Sequence, residues 1–495
     1  MNNEYETIIG LEVHVELSTK TKIFCGCAND FGAAVNTHIC PVCMGMPGAL
    51  PVLNRQVLNY AVKASLALNC EINKEFRFDR KNYFYPDNPQ NYQISQLYSP
   101  IGINGSLTID TRSSANPAPS SENKTNHDDP VNKKIIRIHE LHMEEDAGKL
   151  MHDQDTHETL IDFNRAGVPL LEIVSEPDMR SADEVISYLK SLRMLLMTLG
   201  ISDCRMNEGS MRADVNLSVR KPASELGTRT EMKNLNSFKA IARAIEHESK
   251  RQIKLLEQGR EVSQETRRWD DAAGESYVMR TKENAPDYRY FPDPDLPLYS
   301  INDEQIDIIR KSMPELPEDK IRRYTDVLGL SPHDAEQIIS EKRLCEIFEE
   351  TVSLGAPPVS VCNWLLGETM RIMNDRAMDA DKLSIDPACL FSLIKLHKEH
   401  VINSTTAREI FEKIFDGEIS DVDKYVGDNS LGMVSDTDAL ILVIDNVLAA
   451  NPGPVSDYRS GKTKAIGFII GQVMKEMKGK ADPEAVRSLL EEKLH

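Results

Sequence analysis

Long apolar runs are missing from this chain of 495 residues. No stretch approaches the roughly 20 residues a membrane-spanning helix requires, so no membrane segment is expected. The opening MNNEYETIIG has no basic n-region and no Arg-rich amphipathic pattern, so no secretory or organellar address is read there and a cytoplasmic protein is expected. An excess of positive charge is missing too. With 58 Lys+Arg against 78 Asp+Glu the net charge is −20, which excludes a surface built throughout for non-specific nucleic-acid binding. A P-loop is excluded, because the GKT beginning at Gly461 would need a glycine five residues earlier and Ser456 stands there. Nothing of the form GxGxxG opens a helix after a strand, which excludes a dinucleotide site.

What remains is ordinary in bulk and unusual in places. Hydrophobic content of 40% and charged content of 27% describe a globular protein. Its length exceeds what one core supports, so two to four domains are expected. Of nine cysteines, four fall in FCGCANDFGAAVNTHICPVCMG. Cys25 and Cys27 form a CxC pair, and Cys40 and Cys43 a CxxC pair. Two close thiolate pairs separated by a loop suit a closed, structural, tetrahedral Zn²⁺ site in a reducing compartment. A redox CxxC is the weaker reading, since no thioredoxin-like βαβ pattern surrounds it.

The stretch Ile135–Asp178 concentrates the remaining chemistry. It holds HELHMEEDAGK and DFNRAGVPLLEIVSEPD, with IIRIHELHM and VPLLEIVS reading as β-branched strands. Carboxylates on apolar strands cost desolvation energy unless something positive compensates them, and a hard cation such as Mg²⁺ takes oxygen ligands. Any one of these acids reads more simply as a solvated strand face, but other strands repeat the pattern. In GLEVHVEL, Leu11, Val13, Val15 and Leu17 share one face, and Glu12, His14 and Glu16 the other. In MRADVNLSVRK, Arg212, Asp214, Asn216 and Ser218 share a face, and in TRTEMKNLNS Arg229, Glu231 and Lys233 do. A surface hairpin with cross-strand ion pairs would look the same. An antiparallel sheet with one acidic and basic face would hold Mg²⁺ and steady phosphates, which suits ATP-dependent activation of a carboxylate. Glutamine-synthetase-like ligases, guanidino kinases and other sheet-based phosphotransferases all satisfy that pattern.

Elsewhere, Asn54 caps a helix, and Ser181 with Glu184 reads as a capping box for a helix stopped by Gly200. FDRKNYFYPDNPQNYQISQ reads as an ordered aromatic loop. Ser113–Asp129 reads as a low-complexity hairpin tip. Prolines 286, 292, 294 and 297 mark a boundary. Beyond it the pattern is helical, with a second break placed near Asn403. Asp457–Lys480 carries six basic and two acidic residues, a local net of +4 that reads as a basic footprint or a solvated helix face.

GLEVHVEL, FDRKNYFYPDNPQNYQISQ, HMEEDAGK, DFNRAGVPLLEIVSEPD and EMKNLNSF together resemble the B subunits of bacterial aspartyl/glutamyl-tRNA amidotransferases, nearly end to end. The resemblance implies an α+β fold: a glutamine-synthetase-like antiparallel cradle over 1–297, a helical domain over 298–405 and a small helical, tRNA-binding tail over 406–495. It implies phosphorylation, with ATP and Mg²⁺, of the side-chain carboxylate of Glu or Asp misacylated on tRNA, followed by displacement of phosphate by ammonia. The implied partners are an amidase A subunit and a small C subunit, in a heterotrimer that acts on misacylated tRNA. The family's metal site falls on Glu12, His14, Glu145, Glu172 and Asp214. Strand alternation would instead place Glu144 beside His142, and a bulge at Glu144–Glu145 would reconcile the two. Lys81, Arg212 and Lys233 are the basic residues expected at ATP, and Cys25, Cys27, Cys40 and Cys43 look like the family's zinc-bearing subset. A tRNA-binding scaffold without catalysis, and a small-molecule carboxylate ligase, are the alternatives. The acid-lined strands argue against the first, and the basic tail against the second.

Overall fold

The computed structural model describes residues 4–111, 133–153, 155–281, 287–432, 437–460, 462–477, 481 and 483–494. The expected tip Ser113–Asp129 lies outside these, as do Pro286, Gly461, Lys478 and Lys480. The chain divides into two compact units, Met1–Pro317 and Glu318–His495. No helix among the described residues is long and apolar enough to cross a membrane.

The first unit runs β1 (Glu6–Glu16), α1 (Arg55–Ala67), β2 (Glu71–Ile72), β3 (Glu75–Phe76), β4 (Asp79–Asn82), β5 (Tyr92–Ser95), β6 (Gly102–Asp110) and β7 (Lys133–Glu145). It continues with β8 (Lys149–His152), β9 (Thr159–Asp162), β10 (Pro169–Ser175), α2 (Ala182–Thr198), β11 (Met211–Arg220), β12 (Thr230–Lys233) and α3 (Phe238–Glu257). Then follow β13 (Glu265–Asp270), β14 (Glu275–Thr281), β15 (Phe291–Pro292), β16 (Tyr299–Ser300) and α4 (Asp303–Lys311). Nine strands form one sheet in the order β14-β13-β12-β11-β1-β10-β7-β6-β2. Its pairings are antiparallel except β12 with β13.

Period-two patterning builds the sheet and decides what it faces. Leu11, Val13, Val15 and Leu17 are buried, as are Ala213, Val215, Leu217 and Val219 of β11. They share a core with Val57 and Ala61 of α1, Val185, Leu189, Leu192 and Leu196 of α2, and Ile241 and Ala244 of α3. Each buried Leu or Val contributes roughly 1.5–3 kcal/mol of transfer free energy, so the helix-covered face anchors the sheet. Gly105 allows close packing there, since a Cβ would meet Cys70 Sγ at 2.4 Å and the Leu68 carbonyl at 2.7 Å. The Asn54 cap is present, its Oδ1 accepting from the Gln56 amide at 2.9 Å. At α2 only half of the expected box forms. Ser181 Oγ accepts from the Glu184 amide at 3.2 Å, while Glu184 Oε2 accepts from Arg180 N and Lys134 Nζ. The aromatic loop is corrected in part: its ends are β4 and β5, paired antiparallel, and its middle is irregular.

The second unit is helical, with α5 (Pro317–Asp326) at its start. Its helices include Lys342–Ser353, Pro387–Lys398 and Ser404–Phe415. The polar run at Asn403 is a helix cap: Asn403 Oδ1 accepts from the Thr406 amide at 2.8 Å. Near the C-terminus, Leu440, Ile444, Ile469, Val473, Val486 and Leu490 form a separate small core.

Candidate functional site

The side of the large sheet turned away from the helices is charged, and register places its groups. His14 of β1 stands opposite Glu172 of β10 and Arg212 of β11, and Glu172 stands opposite His142 of β7. Glu144 follows two residues along β7, on the same face. His14 Nε2 lies 3.5 Å from Glu172 Oε2 and 3.6 Å from Glu144 Oε1. His142 Nε2 lies 3.0 Å from Glu172 and 3.8 Å from Glu144. Ligand atoms of His14, Glu144 and Glu172 all fall within 4.8 Å of one another.

Charge balance in this cluster is severe. Burial works against a charged Glu172, yet His14 and His142 hold its carboxyl well below the usual range. Burial alone would lower His14, but Glu172 and then Glu144 outweigh it and push the imidazole to about 9. His142 is raised for the same reasons, with Glu140 adding to the pull. Carboxylate charge and imidazole protonation therefore support each other in this cluster. Two carboxylates and an imidazole at this spacing fit a hard divalent ion, with the carboxylates suiting Mg²⁺.

A second group sits one row away. Glu12, opposite Asp214, lies with Asp214 and Glu231 within the same 4.8 Å limit. Burial and the Glu172 charge raise the Glu12 carboxyl, and Asn216 Nδ2 donates to it at 2.9 Å. Lys233 pairs with Asp214, and with Glu231 at 2.8 Å. Thr266 Oγ1 donates to Glu231 at 2.7 Å.

The five expected metal ligands thus do not converge on one point. His14 and Glu172 join Glu144 in one group, and Glu12 and Asp214 join Glu231 in the other. Glu145 lies apart from both groups. The β7–β10 register shifts only between Val174 and Ser175, so no bulge interrupts Glu144–Glu145 and the alternation turns Glu145 to the other face. There its Oε1 accepts from Gln90 Nε2 at 2.8 Å and from the Ile94 amide at 3.0 Å. It borders a cavity of about 200 Å³ that Cys25, Cys43, Arg80 and Tyr92 also line. Burial raises Glu145 to about 8. Sequence reasoning named Glu231 only as part of a strand face; its pairing with Asn216 of β11 was the missing information.

All three expected basic residues border the charged face. The Lys81 ammonium lies 4.9 Å from the Tyr288 ring centroid. Burial opposes its charge, but Glu144 and, more weakly, Glu172 raise its pKa. Arg212 Nη2 donates to Asp146 Oδ2 at 2.6 Å.

The four cysteines of the CxC and CxxC pairs also meet, with their sulfurs within 4.8 Å of one another and Cys40 and Cys43 3.9 Å apart. Tetrahedral zinc at about 2.3 Å from each sulfur needs sulfurs about 3.8 Å apart, so the cluster could hold zinc with modest contraction. Hydrogen bonding from the Cys25 thiol lowers Cys43 to about 5, helped by the Cys40 amide and by Lys22, whose Nζ is 3.7 Å away. A cation beside four thiolates offsets the net charge of a Zn(Cys)₄ centre.

Comparison with known proteins shows the family. The profile of the GatB/GatE catalytic domain matches residues 7–307, and that of the GatB domain matches 346–494. The chain belongs to the GatB/GatE family. The B subunit of the aspartyl/glutamyl-tRNA(Asn/Gln) amidotransferase of Lachnoclostridium phytofermentans is 54% identical over 491 residues, 99% of both chains. The B subunits of the same name from Agathobacter rectalis and Caldicellulosiruptor saccharolyticus are 55% and 48% identical, again over 99% of both chains. Within the GatB/GatE chain, the catalytic-domain match covers both acidic groups and the four cysteines, and the second match covers the C-terminal helices.

Proposed function

We propose that this chain is the phosphorylating subunit of a tRNA-dependent amidotransferase. The observation that carries the reading is the His14–Glu144–Glu172 group, bordered by Lys81 and Arg212, on the charged face of the large sheet. The substrate is Glu or Asp misacylated on tRNA. Its side-chain carboxylate oxygen attacks the γ-phosphorus of ATP, the bond from that phosphorus to the bridging oxygen breaks, and ADP leaves. Ammonia nitrogen then attacks the carbonyl carbon of the acyl phosphate, and inorganic phosphate departs with the former carboxylate oxygen. Phosphorylation is needed because a carboxylate oxygen is a very poor leaving group.

Phosphoryl transfer asks little covalent work of a protein and depends on positioning and charge. His14, Glu144 and Glu172 would hold one Mg²⁺, and Glu12, Asp214 and Glu231 a second, with Glu144 replacing Glu145 in the expected set. Such ions supply neutralisation of the phosphate charge. Lys81, Arg212 and Lys233 steady phosphate oxygens. The sheet acts as a glutamine-synthetase-like cradle, the middle helices as a second domain, and the tail after about residue 405 as a tRNA-binding domain, helped by Arg459, Lys464 and Lys475. Ammonia comes from an amidase A subunit, in a heterotrimer with a small C subunit. The cysteine cluster holds structural zinc.

The test is Glu172→Gln in the assembled complex. Amidation should fall at least 10²-fold, on the scale of losing one preorganised electrostatic contact, while glutamine hydrolysis and tRNA affinity stay unchanged. Amidation near the wild-type rate would leave Glu172 a strand-face residue and favour a scaffold role.

A further inference from the structure

Asp146 follows the two glutamates of HMEED and belongs to neither acidic group. It is buried, and both carboxylate oxygens are engaged. Oδ2 accepts from Arg212 Nη2 at 2.6 Å and lies 3.6 Å from Arg165 Nε. Oδ1 accepts from the Ala147 amide at 2.9 Å, with Arg212 Nη1 at 3.5 Å. The backbone is pinned as well: Asp146 N donates to the Val168 carbonyl and its carbonyl accepts from Gly167 N, both at 2.9 Å. Arg165 closes the arrangement, donating to the Ala147 carbonyl at 3.0 Å and the Gly148 carbonyl at 2.6 Å. The loop runs close beside its neighbours here: a Cβ on Gly148 would meet the Asp162 and Asp87 carbonyls at 3.0 Å.

The partner that Asp146 immobilises is Arg212, which stands opposite His14 in register, beside the first metal-binding group. A free arginine loses about 2 kcal/mol of rotamer entropy on being fixed, so an arginine held beforehand binds a phosphate more effectively. Asp146 is buried and Arg212 half-buried, and desolvating that carboxylate for stability alone would gain little, since hydrophobic replacements often do as well. We propose that Asp146 is a positioning residue: its carboxylate, fixed by Arg165 and the Ala147 amide, orients the Arg212 guanidinium toward the phosphoryl group undergoing transfer. This rests on reading the cradle as a phosphoryl-transfer site.

The experiment is a double-mutant cycle in the assembled complex with ATP and misacylated tRNA, using Asp146→Asn, Arg212→Ala and the pair. Arg212→Ala should lower kcat/KM for ATP by about 10²–10³-fold. Asp146→Asn should lower it by about 10–100-fold. The pair should be no worse than Arg212→Ala within about twofold, because both changes remove one guanidinium's work. Added guanidinium should partly restore turnover in Arg212→Ala and not in the pair. Asp146→Glu, which keeps the charge and displaces it, should lose turnover per folded molecule even where its extra methylene lowers Tm, so loss of folding in Asp146→Asn would not shield the proposal. Effects that multiply in full, or an Asp146→Glu protein at wild-type turnover, overturn it. If Glu172→Gln abolishes amidation while the Asp146 variants do not, only this proposal falls. If Glu172→Gln is also harmless, the reading of the cradle falls and takes the proposal with it.

Discussion

Metal binding on the charged face of the sheet should be linked to proton release, and pH is the perturbation that shows it. Without metal, Glu172 and Glu144 hold the His14 imidazole at about 9. A free imidazole titrates near 6.5, so at pH 7.5 an ion taking the His14 nitrogen must displace a proton at a cost of roughly 2 kcal/mol. Affinity should therefore rise about tenfold per pH unit between about pH 7 and 8.5 and level off above about 9. Folding stability of the metal-free protein should move the other way. A raised imidazole contributes stability that is complete below the unfolded value near 6.5 and lost as pH climbs through about 9. The assay is calorimetric titration of the zinc-loaded protein with Mg²⁺ in buffers of different ionisation enthalpy, which counts protons released. In Glu172→Gln the imidazole loses its strongest attractive partner, so proton release per ion should shrink along with affinity. An affinity equal at pH 7 and 8.5, with no buffer-dependent heat, would refute the assignment of His14 as a ligand.

Three further outcomes follow from other parts of the chain. Cys40→Ser, or zinc chelation, should lower Tm and leave ATP turnover per folded molecule unchanged, and metal analysis finding no zinc with all four thiols freely alkylated would defeat the zinc reading. Truncation before Asn451 should weaken tRNA binding and reduce the slope of log affinity against log salt, measured between about 50 and 200 mM, whereas an unchanged slope would turn those lysines to solvent. Leu11→Ala should cost about 2–5 kcal/mol in denaturant unfolding and Glu12→Gln far less, because Leu11 faces the apolar core and Glu12 the charged side of the sheet.

How much of this was legible in the sequence depends on the distance over which each feature is encoded. Alternation is local, so the two faces of β1 and β11 and the exposed side of Lys233 were readable from neighbouring residues. The zinc-fitting cluster was readable too, because four thiols in two close pairs leave few other arrangements. Cross-strand neighbours are not local. That His14 meets Glu172 while Glu12 meets Asp214 depends on the pairing of β1 with β10 on one side and β11 on the other. A list of ligands carried over by resemblance therefore looked like one centre, and register separates it into two groups. β4 and β5 escaped notice because four-residue strands flanked by Pro, Asn and aromatics carry no periodicity. The polar run at Asn403 caps a helix, a role whose composition is the same as that of a linker, so composition alone does not separate the two.

The neighbours Glu144 and Glu145 offer the sharpest test of that register, since alternation sends two identical side chains into opposite environments. Glu144 joins two imidazoles. Glu145 faces Gln90 and the Ile94 amide, where burial raises it to about 8 and leaves it mostly neutral at pH 7. A glutamine is the close isostere of a protonated glutamic acid, so Glu145→Gln should change Mg²⁺ affinity by less than about twofold at pH 7. Glu144→Gln removes a charge from the cluster itself and should weaken Mg²⁺ by at least about 10–100-fold, the range typical even when groups behind a ligand are lost. The measurement is metal affinity rather than turnover, because Glu145 borders a cavity whose disturbance could slow the reaction for unrelated reasons. Equal losses in both variants would mean that the strand slips or bulges at this point in the metal-bound protein. A larger loss for Glu145 would restore the ligand set that resemblance alone implied.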